Sequence, residues 1–341
     1  MVNSSVTQPQ RWGWVLGLSL TLIGLMIFAA GIGAYPVSQS EILAHLWQRG
    51  LGASVSPQLD RVLFEIRFPR VLASAIVGAV LAAAGCAYQG LFRNPLVSPD
   101  ILGVSTGAGL GAALGILLSL SIAAIQILAF IGGLATVALV YAVASLVRHR
   151  EATLVLVLAG VVIGSLAGAT LSLIKVLADP YDQLPAITFW LLGSFASIRV
   201  ADVTAVLPAV MVSLIPMILL RWRMNVLSLG DEEARALGVH PGRLRGVLVI
   251  AATLMTAAAV SIAGVIGWVG LIIPHMARLL VGPNFARLLP VAMLMGACFL
   301  VLIDTLARSL TATETPIGIL TAFFGAPVFL VLLARSRRGW Q

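Results

Sequence analysis

The sequence predicts an all-α, polytopic membrane protein: ten transmembrane helices in one domain covering residues 1–341, with both termini cytoplasmic. Three observations carry this. Hydrophobic residues make up 60% of the 341 and charged residues 10%, with a mean hydropathy of +1.06, far from the balance of a water-soluble domain. The 47 residues from Ile101 to Val147 contain no Asp, Glu, Lys or Arg. As one helix they would reach about 70 Å against a hydrocarbon core of roughly 30 Å, so the chain crosses twice there. Finally, the loops divide into a strongly basic set and a weakly basic one.

The elements follow from the same length rule. After a short tail, 1–11, the first apolar run (13–34) has only Arg11 before it and is long enough to span, which makes it a helix rather than a cleaved signal peptide. "VSQSEILAHLWQRG" (Val37 to Gly50) reads as a short helix lying at the outer surface, with Trp47 at interfacial depth. Span two covers 70–92. The charge-free stretch supplies spans three and four, 101–119 and 122–147, with a turn near Ser119 to Ser121. Span five is 154–176. "LPAITFWLLGSFAS" (Leu184 to Ser197) reads as a second outer surface helix carrying Trp190, and span six is 203–221. The apolar run from Gly246 to Leu280 is too long for one crossing. Ser261, Gly264, Gly267 and Gly270 interrupt it, so it breaks into spans 246–263 and 265–281. Spans 289–309 and 316–334 complete the set.

Gly103, Gly107, Gly111 and Gly115 on span three, and Gly160, Gly164 and Gly168 on span five, recur every four residues. Such stripes let helix backbones approach closely in lipid, where no hydrophobic force draws helices together. They read as packing surfaces of a compact bundle, not as a site.

Orientation follows from the basic residues. With the N-terminus inside, fourteen lie on the inner face and seven on the outer: Arg49, Arg61, Arg67, Arg70, Lys175, Arg199 and Arg308. Cytoplasmic loops retain Lys and Arg, so the formal net charge of +8 is a topological signal and no nucleic-acid partner is expected. Cys86 and Cys298 fall within spans and read as packing. The four histidines are scattered with no ligand spacing, His275 reading as structural, so neither a metal site nor a cofactor is expected on this chain. Nor is a nucleophile–base pair evident.

Two transport classes remain. An ion-coupled carrier needs ionisable groups in the bilayer. The clearest is Asp304, whose i,i+4 neighbour Arg308 makes it a structural partner rather than a relay. An ATP-driven transporter needs an ATPase, and the only lysine, Lys175 in "LSLIKVLADP", fits no phosphate-binding G-x-x-x-x-G-K-[ST] loop. The ATPase, with its ATP and Mg, would be a separate subunit, and this chain not an enzyme. A segment at 228–243, between spans six and seven, offers that subunit a place to push. There Ser228 is expected to cap, Asp231, Glu232 and Glu233 occupy the first turn against the positive end of the helix dipole, and Gly238 with Pro241 closes the helix. A merely solvated loop is the competing reading.

Four ordered blocks then carry a resemblance: "FRNPLVSPDILGVSTGAGLGAALG" (Phe92 to Gly115), "GDEEARALGV" (Gly230 to Val239), "GVIGWVGLIIPHMARLL" (Gly264 to Leu280) and "ETPIGILTAFFGAPVFLVLL" (Glu314 to Leu333). They resemble the FecCD-type permeases, the membrane subunits of bacterial ABC importers for ferric siderophores, haem and cobalamin, with the type II importer fold. The resemblance implies a homodimer in the inner membrane, two cytoplasmic ATPases and a periplasmic binding protein. It also implies a cargo: a metal chelate, foremost a ferric siderophore, with haem or cobalamin as further candidates, or alternatively an oxyanion such as molybdate. Asp231, Glu232, Glu233, Ala234, Arg235, Ala236, Leu237, Gly238 and Val239 look like the coupling helix that seats in the ATPase. Arg67 and Arg70 in "IRFPR", with Arg308, are similar to arginines that meet glutamates of the binding protein; on residues alone each is equally an interfacial snorkeller. Thr153, in "RHREATLVLVLAG", matches the cytoplasmic gate, and equally suits a helix cap.

Overall fold

The computed structural model describes residues 8–33, 35, 37–52, 56–147, 152–310 and 313–336, and those residues form helices and connections with no strand among them. In chain order the helices are α1 (Gln8–Gly31), α2 (Gln39–Gly50), α3 (Pro57–Arg61), α4 (Phe68–Leu91), α5 (Val104–Leu117), α6 (Ile122–Leu146), α7 (Ala152–Leu177) and α8 (Gln183–Leu192). They continue as α9 (Val200–Leu219), α10 (Arg221–Leu227), α11 (Asp231–Ala236), α12 (Pro241–Ala263), α13 (Val269–Val281), α14 (Phe285–Ser309) and α15 (Ile317–Ser336).

Seven of the described helical segments are long and apolar enough to cross a bilayer. The remaining three expected crossings fall on the shorter helices α5, α13 and α15. The 14 residues of α5 reach about 21 Å, short of the hydrocarbon core. A 3₁₀ turn at Pro99–Leu102 and the reversal at 118–121 lengthen that passage. The reversal falls where the sequence places it, with Ser119 at φ 51° and the Ser121 side chain capping α6.

Span two begins earlier than the expected residue 70. α3, a π-helical stretch at Val62–Arg67 and α4 form one continuous 35-residue rod, Pro57–Leu91. The cause is Pro69, which has no N–H to give an α-helical partner. The helix widens just before it, Phe68 N–H bonding Leu63 O five residues back. The predicted break after Ala263 is present. Gly264 takes φ 71°, and Trp268 takes the same left-handed value, unusual for an aromatic residue. Trp268 packs edge-on against Phe329, and a side chain at Gly325 of α15 would collide with it.

α4 and α12 form the buried centre. α14 and α13 lie on α4 at backbone contact: a Cβ at Gly78 would meet the Gly296 carbonyl, and one at Gly85 the Gly270 carbonyl. The sequence stripes also meet backbone. Gly107 and Gly111 face Gly132 O and Leu128 O of α6, Gly115 faces Ile125, and Gly160 of α7 faces Ile101 O. Gly103, at φ 75°, sits against Thr136 and Gly164, and Gly168 lies at ordinary contact distance from Thr106. The second outer helix departs from expectation. α8 stops at Leu192, buries Ile187, and sets Trp190 against Ala108, Ala112 and Val260 instead of at an interface, whereas Trp47 is exposed.

Candidate functional site

At the outer end the fold gathers Arg67, Arg70 and Arg308, all with side chains turned inward. Arg70 is 6% exposed. Its Nε donates to Asp304 Oδ1 at 2.9 Å, Nη1 to Glu314 Oε1 at 2.7 Å and Nη2 to Glu314 Oε2 at 2.9 Å. Asp304 is fully buried, and Arg308 Nε lies 3.2 Å from its other oxygen.

Arg67 and Arg308 also serve α1. A helix ends with carbonyls that lack partners and with a negative dipole pole, and cations satisfy both. Arg67 Nη1 donates to Ala30 O at 2.7 Å and Nη2 to Tyr35 O. Arg308 donates to Ile32 O at 2.7 Å and Ala29 O at 3.2 Å. One charged knot thus ties the ends of α1, α4 and α14 to the chain before α15. Sequence spacing exposed the Asp304–Arg308 pair but not Arg70 on Asp304, which joins residues 234 positions apart. The one available signal was that three arginines near span ends had a single acidic residue inside the spans to share.

At the cytoplasmic end, α11 is short and closed at its C-terminus. Its C-terminus is a Schellman turn: Val239 N–H reaches Ala234 O at 2.8 Å, Gly238 N–H reaches Arg235 O at 3.0 Å, and Gly238 takes φ 77°. Its N-terminus corrects the sequence reading. Ser228 does not cap α11; its hydroxyl donates to Asn225 O, and Gly230 at φ 142° occupies the cap position. Ser228 instead ends α10, a separate helix absent from the sequence expectation.

Ala234 and Val239 are buried, while Glu232, Glu233, Arg235, Ala236, Leu237 and Gly238 face outward. Asp231 does not face outward with its acidic neighbours. It turns back and accepts two hydrogen bonds from Arg245 of α12, Nη1 at 2.8 Å and Nη2 at 2.6 Å, and Arg93, just past α4, stands 3.9 Å away. The Arg245 bonds hold the Asp231 carboxyl below its ordinary range. α11 is therefore bolted to a transmembrane helix by a fork-to-fork ion pair. Beside it, Arg223, His240 and Arg243 line a groove of about 340 Å³.

Thr153 is the second residue of α7, and its side chain, with residues 148–151, lies outside the described residues. Among the described residues no group of three or more His, Cys, Asp or Glu is placed to hold a metal ion.

The family model of the FecCD transport family matches residues 20–335. The chain is similar to the molybdate import system permease of Haemophilus influenzae, 40% identical over 333 residues, 97% of this chain and 98% of that one. It is 36% identical to the hemin transport system permease of Yersinia pestis over 344 residues, covering 98% of each. With the cobalamin import system permease of Halobacterium salinarum it shares 46% over 279 residues, 81% of this chain and 74% of the other. A solved inward-facing metal-chelate type ABC transporter superposes with a TM-score of 0.85 at 38% identity, over 94% of this chain and 98% of that one. These matches cover nearly the whole chain, and the chain belongs to the FecCD transport family, as a membrane-spanning permease of an ABC importer whose ATPase is a separate subunit.

Proposed function

We propose that two copies of this chain enclose one pathway across a bacterial inner membrane and pass a metal chelate, foremost a ferric siderophore, from a periplasmic binding protein to the cytoplasm. Two ATPases would seat on residues Asp231 to Val239. The observation that carries this reading is the Asp231–Arg245 pair. A helix capped at one end and ion-paired to α12 moves with α12, whereas a loosely attached loop would absorb a partner's motion. The outward Glu232, Glu233 and Arg235 then belong to the ATPase contact. ATP and Mg²⁺ belong to that partner, and this chain is expected to carry no cofactor.

Arg67, Arg70 and Arg308 are assigned to docking of the binding protein on the outer face, and Thr153 to narrowing the cytoplasmic mouth. Transport proceeds by alternating access without a tight internal site, since cargo must be held weakly enough to leave. A chelate is favoured because relatives named for hemin and cobalamin and a metal-chelate type structure match most of the chain. An oxyanion is the second reading, favoured by the full-length similarity to the molybdate permease.

The test is uptake into proteoliposomes holding the permease, its ATPase and its periplasmic binding protein, offered ferric siderophores and molybdate in turn. Uptake of a chelate that survives collapse of the proton gradient and stops without ATP is expected. Uptake of molybdate alone would transfer the assignment to the second reading, and uptake that needs the proton gradient would remove both.

A further inference from the structure

Arg70 has two carboxylate partners of opposite character. Asp304 is fully buried on α14 and shared with Arg308. Glu314 sits in the non-helical connection to α15, and its side chain is 41% exposed. It takes both Nη nitrogens of Arg70, at 2.7 and 2.9 Å. Arg70 is itself buried, and Asp304 Oδ1 lies 2.9 Å from both its Nε and its Nη2, so the exposed Glu314 covers the remaining, outward-facing side of the guanidinium. A carboxylate arriving from outside cannot form the two-pronged contact that arginine offers while Glu314 is in place.

The cost of removal differs sharply between the two acids. Releasing Asp304 would strand a buried charge, which is strongly unfavourable, whereas an exposed carboxylate is rehydrated as it leaves. The knot also holds three guanidiniums against two carboxylates, with Arg67 bonded to carbonyl oxygens. Its surplus is positive before any exchange and larger once Glu314 swings away, which favours an acidic newcomer.

We propose that Glu314 is a resident stand-in for the docking partner's carboxylate: it holds Arg70 in the free permease and is displaced, one carboxylate for another, when an acidic side chain of the periplasmic partner docks. The proposal rests on the assignment of Arg70 to docking, and adds that the site is closed by a residue of the chain itself. The exchange conserves charge and hydrogen bonds within the knot, so α1, α4 and α14 stay tied throughout. The contact given up is one that fastens the connection leading into α15, beside the Thr315 N–H to Ala307 O bond, which gives docking a route to one helix.

The experiment measures the affinity of the importer's periplasmic binding protein for the intact importer in nanodiscs. It compares the wild type with Glu314→Gln, Glu314→Asp and Arg70→Gln. Glutamine keeps the size of Glu314 but competes as a neutral group, so Glu314→Gln should bind about tenfold more tightly, the factor equivalent to one charge-assisted hydrogen bond. The free Glu314→Gln importer should melt lower than wild type and regain more of its melting temperature on adding the binding protein, because ligands that bind the folded state stabilise it. Unchanged or weaker affinity in Glu314→Gln, with weakened Arg70→Gln, would overturn the exchange and leave docking at Arg70 standing. Wild-type affinity in Arg70→Gln would overturn both, whatever Glu314→Gln does. If Glu314→Gln does not assemble, Glu314→Asp decides: its arm is one methylene shorter and reaches Arg70 less well from the same backbone position, so tightening supports the exchange and its absence refutes it.

Discussion

Asp231→Ala should uncouple ATP hydrolysis from transport. The Asp231 carboxylate accepts two hydrogen bonds from Arg245, whose side chain is 11% exposed and whose Nε has no partner. Hydrogen bonds to charged groups are worth about 1.5–3 kcal/mol each when well buried. The Asp231 side chain is 28% exposed, so water recovers part of that, and about 2 kcal/mol for the whole pair is a fair figure. That corresponds to roughly a thirtyfold shift in the balance between α11 fastened to α12 and α11 free. Asp231→Asn, which keeps an acceptor oxygen, should lose about half as much energy. The assay is solute imported per ATP hydrolysed in proteoliposomes. The ratio should fall in Asp231→Ala while hydrolysis persists, fall less in Asp231→Asn, and recover in the double exchange Asp231→Arg with Arg245→Asp. A single variant that couples like wild type while remaining assembled would refute the idea that this pair transmits the ATPase stroke.

The same pair sets a pH expectation. The folded-state pKa of Asp231 lies below its ordinary value of 3.8, so its stabilisation is complete above that value and is lost only as pH falls through the depressed one. Coupling ratios measured between pH 6 and 8 should show no titration from this group; a loss centred near pH 6 that disappears in Asp231→Asn would contradict the assignment. Gly78→Val should lower the melting temperature in detergent, since its Cβ would fall 2.7 Å from the Gly296 carbonyl carbon and 2.9 Å from Leu300 Cβ. Overpacking of this kind costs about 1–3 kcal/mol. Gly242→Ala, with nothing within 4 Å, is the matched control and should melt no lower than wild type. Asp304→Asn removes the shared acid between two buried arginines and should cost about 3–5 kcal/mol, read as loss of folded protein from the membrane fraction.

The helices were legible from the sequence where length alone decides, and the contacts were not. A charge-free run of 47 residues must fold back on itself, and the reversal at Ser119 to Ser121 follows from bilayer thickness. The start of the second span was not legible, because the length rule placed it at residue 70 and gave no sign that Pro69 is absorbed by a π-turn within one longer rod. The glycines at every fourth position were visible as a pattern. Gly78 and Gly296, in backbone contact between α4 and α14, carry no periodic signal, since each meets a partner more than two hundred positions away. The polar segment near α11 was recognisable from its acids and its closing glycine. That Asp231 points inward to Arg245 while Glu232 and Glu233 point outward depends on the rotation of a six-residue helix about its axis, which composition does not encode.

The two ends of the molecule are joined by the helix that sequence periodicity described least well. The rod from Pro57 to Leu91 carries Arg67 and Arg70 in the outer knot, and Arg93, two residues past its end, stands 3.9 Å from Asp231 at the inner clamp. α4 alone, at 24 residues, spans about 36 Å, enough to connect the two faces. For motion at one face to reach the other, the connector must not bend along its length. Side chains between helices can change rotamer and yield; backbone against backbone cannot. α4 meets α14 at Gly78 and α13 at Gly85 with nothing between the main chains, so no side chain stands between them to yield. The outer pairing of this helix includes one exposed member, Glu314, and the inner pairing includes one partly exposed member, Asp231. On the proposed assignment the soluble partners dock at these two ends, where the fastenings are most open to water, and small docking energies would then bias a large apolar body.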